Sequence, residues 1–128
     1  MKISHVNPAG LHSNPAFSQA VMVQDASRTV YIGGQNGVTA DGLVVAGGAG
    51  PQAAQAFSNI LAILNDIGAT QANVVKLSVH VVKGSPIQEV FGAARTVWGA
   101  NATAITVVVV DGLANPAFLI EIDAVAAL

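Results

Sequence analysis

The chain carries seven acidic side chains, five basic ones, three histidines and no cysteine, so few of its residues can do chemistry. The absence of thiols excludes disulfides, thiolate nucleophiles and thiolate metal sites. His5, His12 and His80 lack the spacing of a ligand set, and neither a metal nor any other cofactor is expected. Gly47-Gly48-Ala49-Gly50 invites a phosphate-cradle reading. It lacks both the Gly-Lys-Ser/Thr of a P-loop and the spacing of a dinucleotide fingerprint. The informative carboxylate lies near the C-terminus. In the segment from Phe118 to Ala126, alternate side chains fall on opposite faces of a strand. Phe118, Ile120, Ile122, Ala124 and Ala126 form an apolar face; Glu121 lies on the other, between Leu119 and Asp123. An acid in mostly apolar surroundings is paired, solvated or functional. As a functional group it would orient water or accept a proton. The plainer alternative is a hydrogen bond or a subunit-stabilising pair with no chemistry.

The elements that must position Glu121 follow from periodicity and turn residues. Strands are expected over Lys2–Val6, Phe17–Val23 and Thr29–Ile32, the third ending at Gly33-Gly34. A glycine-rich loop follows, with a short Leu43-Val44-Val45 strand inside it. A helix is predicted from Pro51, at its first position, to Ile67, with Gly68 as the stop. Its apolar stripe is Phe57, Ile60, Leu61, Leu64 and Ile67; Gln52, Gln55, Ser58, Asn59 and Asp66 lie off it. Val74–Val82 reads as a strand with Val75, Leu77, Val79 and Val81 inward and Lys76, Ser78 and His80 on the other face. His80 is expected there as a hydrogen-bonded surface residue. Ser85-Pro86-Ile87-Gln88 reads as a capping box opening a helix to about Trp98. Ile105–Val110 is a strand apolar on both faces, buried in the sheet or at a subunit contact. The order β-β-β-α-β-α-β-β predicts one α+β domain over residues 1–128, a mixed sheet with both helices on one face. Nothing within the chain would then cover the other face.

Composition points the same way. Hydrophobic residues make up 52% of the chain and charged ones 9%, well below the roughly 25% of an ordinary soluble domain. So little charge cannot cover a monomer's surface, and an oligomer is expected. The net charge is −2 and the pI about 5.8. Lys2, Arg28, Lys76, Lys83 and Arg95 are scattered, so a nucleic-acid partner is not expected. The N-terminus shows no secretory h-region, and no apolar run approaches the roughly 18 residues of a membrane helix. The default is a soluble cytoplasmic protein without a membrane partner.

Several segments, in order, resemble the Rid family (reactive intermediate deaminase, or YjgF). They are Ala16-Phe17-Ser18-Gln19-Ala20-Val21, Tyr31-Ile32-Gly33-Gly34-Gln35, Gln55 with Asn59 to Leu64, Val74 to Val79, and Ile120 to Ala126. The resemblance implies a chorismate-mutase-like fold and a homotrimer with ligand clefts between subunits. In active deaminases of the family, an arginine in a Pro-x-Arg-Thr motif holds the substrate carboxylate. The glutamate of the last strand positions the water that hydrolyses an enamine or imine to a carbonyl compound and ammonia. Here the arginine position holds Ile105, followed by the matching Thr106; the family tyrosine falls on Phe17, the serine on Gly33 and a helix asparagine on Phe91. Glu121 is retained. Isoleucine offers no bidentate charged dock for a carboxylate. The resemblance thus implies a divergent trimer that takes a small-molecule ligand in a more apolar cleft lined by Phe17, Gly33, Ile105 and Thr106. Glu121 would be the catalytic group of an imine hydrolysis that dispenses with arginine docking. The alternative is a non-catalytic ligand-binding or regulatory trimer. A ribonuclease or translation-inhibitor role, attached to some relatives, is disfavoured by the acidic pI.

Overall fold

The computed structural model describes residues 1–128. Its elements are β1 (Lys2–Val6), β2 (Ala20–Gln24), β3 (Thr29–Gln35), α1 (Ala49–Asp66), β4 (Val74–Val82), α2 (Ile87–Trp98), β5 (Ala104–Val110) and β6 (Ile120–Ala127). β3, β6, β4 and β5 form one mixed sheet in that spatial order, with β4–β5 parallel and the other pairs antiparallel. β1 and β2 form a separate antiparallel hairpin. Ser18 ties it to the start of β5, its N–H donating to Thr103 O and its hydroxyl to Ala102 O.

The alternation expected in the last strand decides which face is covered. Ile120, Ile122, Ala124 and Ala126 are buried together with Leu77, Val79 and Val81 of β4. α1 closes over them with Ala53, Ala56, Phe57, Ile60 and Leu64. Its alanines let the helix approach the sheet, and its larger side chains fill the layer. Phe57 packs on Trp98 of α2 at a centroid distance of 5.3 Å, joining the two helices. Both helices therefore lie on one side of a mixed sheet, as the element order predicts. No helix is long and apolar enough to cross a membrane.

The departures from expectation have local causes. α1 begins at Ala49, so Pro51 is its third residue; the first turn's N–H groups have no helical acceptor, and a proline there loses no bond. The box at Ser85 does not form: Pro86 caps α2 and no side chain bonds to the helix start. Val74 rather than Val75 takes the core position, because the β4–β6 register shifts between Val74 and Lys76. β3 continues through Gly33 and Gly34 to Gln35 by way of a bulge. β2 starts only at Ala20, leaving Phe17 outside it. Val38 and Val44 form a single bridge in place of a strand at residues 43–45. β5 is an edge strand, with Val107, Val108 and Val109 exposed to 38%, 41% and 63%. That exposure rules out burial of the strand on both faces within one chain.

Candidate functional site

The uncovered face of the sheet is built by register. Glu121 lies opposite His80 and Asp123 opposite Ser78 across β6 and β4. Across β4 and β5, His80 pairs with Val108, Ser78 with Thr106 and Lys76 with Ala104. Paired residues point to the same side of a sheet. One row therefore reads Glu121–His80–Val108, the next Asp123–Ser78–Thr106. Tyr31 of β3, opposite Val125, stands on the same face.

Glu121 is half-buried and held from the β3 side. A Cβ on Gly34 would stand 2.7 Å from its carboxyl carbon, so the glycine leaves the space that the carboxylate fills. Asn36 Nδ2 donates to Ile120 O at 2.9 Å and reaches Glu121 Oε1 at 3.4 Å. α1 fixes Asn36 in turn. Asn59 Nδ2 donates to Asn36 O at 3.2 Å and Val38 O at 3.0 Å, and Gln55 Nε2 donates to Asn59 Oδ1 at 2.8 Å. Gln52, only 4% exposed, spans the other approach. It donates to Ala117 O at 3.0 Å and accepts from Leu119 N at 2.9 Å, just before β6 begins. On the β4 side, His80 Nδ1 lies 3.2 Å from Glu121 O.

The expected site residues divide into three groups. Glu121, Gly33 and Thr106 belong to the uncovered side, Gly33 within the β3 bulge next to the glycine that Glu121 touches. Thr106 Oγ1 accepts from Lys76 Nζ at 2.6 Å. By strand spacing it lies two strands and one row from Glu121, roughly 11 Å away. Ile105 pairs with the buried Leu77 and packs against the core, on the opposite face of β5. Phe17 lies near the start of β5, lining an open cavity of about 420 Å³ with His5, Asn14, Ser18 and Asn101. Since Glu121 is level with Val108, roughly 13 Å of strand separates the two places within one chain.

Sequence reasoning missed His80, Asn36, Asn59 and Gln52 as partners of this region. The polar residues of α1 look like a solvent face when only helical spacing is counted, yet Gln52 is buried. His80 becomes a neighbour of Glu121 only once the β4–β6 register is known. Chemically, the arrangement offers a carboxylate with one oxygen near an amide donor, an imidazole beside it and hydroxyls in the next row. No three acidic or imidazole groups converge as a metal site.

Comparison with known proteins accounts for this architecture. Residues 9–128 match the family model described as Endoribonuclease L-PSP. A 2-iminobutanoate/2-iminopropanoate deaminase from Rattus norvegicus is 35% identical over 112 residues, 87% of this chain and 79% of the rat protein. The bovine protein of the same name is 47% identical over 64 residues, so the match spans 49% of this chain and 44% of the bovine one. Among solved structures, the Rid-family protein YyfB of unknown function from Yersinia pestis superposes with a TM-score of 0.86 at 35% identity, covering 100% of both chains. The chain belongs to the Rid (YjgF) family, whose sequence model is described as Endoribonuclease L-PSP.

Proposed function

We propose that the protein is a homotrimeric imine deaminase, working in clefts between subunits and without arginine–carboxylate docking. The observation that carries this reading is the placement of Glu121: a half-buried carboxylate on the uncovered sheet face, seated against Gly34 and within reach of Asn36. A carboxylate so held can take a proton from water as the water attacks a C=N carbon. Two relatives named as 2-iminobutanoate/2-iminopropanoate deaminases support the reaction class. The spread of the remaining residues supports a shared cleft. Phe17 lies near the start of β5 and Glu121 level with Val108 toward its end, too far apart to share a pocket within one chain, so one pocket takes both only between copies. Thr106 and Gly33 belong to the same pocket; Ile105, on the core face of β5, does not line it, which corrects its expected place in the cleft. Ile105 supplies no charged dock of the arginine kind, and the cation on this face is Lys76, bonded to Thr106.

The same losses at Phe17, Gly33 and Ile105 favour a second reading, a trimer that binds a ligand without turning it over. One assay separates the two. Imines are generated in situ from a panel of amino acids, small neutral ones first, and ammonia release is followed. Accelerated release supports the deaminase. Release at the uncatalysed rate across the panel, with saturable ligand binding retained, supports the binding protein.

A further inference from the structure

His80 is an ionisable neighbour of Glu121 on the uncovered face, and the mechanism above leaves it without a task. It sits directly across from Glu121 in the β4–β6 register and is half-buried. Its Nδ1 is 3.2 Å from the backbone oxygen of Glu121. A carbonyl oxygen can only accept, so Nδ1 must carry the hydrogen. In the neutral ring, Nε2 is then the free basic nitrogen, and the bond to β6 fixes how it is presented. Glu121 leans the other way, toward Gly34 and Asn36. His80 is thus tethered to the backbone between the two groups while the Glu121 side chain is held on the far side, so the two side chains border one stretch of the face. The other ionisable groups on this face are Asp123 of β6, Lys76 of β4 and Tyr31 of β3; β5 contributes Thr106 and Val108, which do not titrate.

We infer that His80 is the second proton-transfer group of the site, acting at the substrate nitrogen while Glu121 acts on water. The inference rests on the deaminase reading and deepens it. Water adds to the C=N carbon as Glu121 takes its proton. The C=N pair moves to nitrogen, which takes a proton from the His80 imidazolium. In the carbinolamine that results, His80 takes back the hydroxyl proton, Glu121 gives its proton to nitrogen, and the C–N bond breaks. A carbonyl compound and ammonia leave, one water is consumed, and both side chains end in their starting states. Division of labour between an acid and a base on opposite sides of the reacting bond contributes about 10²- to 10⁴-fold in such reactions.

The test has an arm that does not depend on turnover. ¹⁵N NMR of the neutral His80 ring is expected to show hydrogen on Nδ1 and none on Nε2; the opposite tautomer overturns the inference. The second arm measures deamination by wild type, His80→Gln and Glu121→Gln. Glutamine can still donate to Glu121 O but cannot carry a proton through the reaction. H80Q is expected to lower kcat by about 100-fold or more with KM little changed. Added imidazole is expected to restore turnover saturably to His80→Ala. An active wild type with H80Q at the same kcat and pH profile overturns the role of His80 and leaves the deaminase reading standing. A wild type no faster than Glu121→Gln on every imine overturns both.

Discussion

The proposed proton transfer needs a carboxylate in a fixed position, and Glu121 gets one from residues that carry no charge. Gly34 provides the room and Asn36 the amide. Gly34→Ala would set a methyl 2.7 Å from the Glu121 carboxyl carbon, so the flexible side chain must move off Asn36. The expected result is a modest stability loss, about 1 kcal/mol by urea denaturation, with most deaminase activity gone. Gly37→Ala meets a different obstacle, the backbone Cα of Gln52 at 2.6 Å. A helix backbone yields less than a side-chain end, so the loss is expected near the top of the overpacking range, about 3 kcal/mol. Equal destabilisation by the two substitutions would contradict this account of the glycines.

At the scale of elements, α1 both covers the sheet and fixes the two segments that flank Glu121. Gln52 spans Ala117 and Leu119, while Asn59 holds the backbone of Asn36 and Val38. Gln52→Ala removes the partners of Ala117 O and Leu119 N, and should cost about 2 to 3 kcal/mol in denaturant unfolding. Asn59→Ala, at a less buried position, should cost nearer 1 kcal/mol but lower kcat, because the Asn36 loop is freed. A normal kcat with the stability loss alone would remove Asn59 from the positioning of Glu121. Much of this layer was legible in the sequence. The apolar alternation of β6, the Phe57–Ile60–Leu64 stripe and the span of β4 all follow from burial on one face, which local periodicity records. The clamps were not legible, because Gln52 and Asn59 satisfy backbone groups in distant segments. Nor was the orientation of Ile105, since a strand of consecutive aliphatic residues carries no alternation to assign its faces. The pairing of His80 with Glu121 depends on a register set by tertiary structure alone.

At the scale of the whole molecule, a single chain leaves too much apolar surface in water. Tyr31 is 80% exposed, Leu43 66% and Val109 63%, and β5 presents an unpaired edge. Exposed apolar edge strands invite association unless a partner covers them. The proposed trimer covers them and joins the Phe17 end of one copy to the Glu121 face of the next. Val109→Asp should therefore convert a sedimenting trimer into monomers and abolish turnover together with assembly. A trimer that survives the substitution would place the interface elsewhere. The claim that a cleft without the family arginine still hydrolyses imines through Glu121 is tested most directly by one comparison. Ammonia release from a freshly generated imine is measured for wild type and Glu121→Gln, with both proteins sedimenting identically. The account predicts release well above the uncatalysed rate for wild type and a fall of about 100-fold or more for the variant. Equal rates from the two proteins would contradict it.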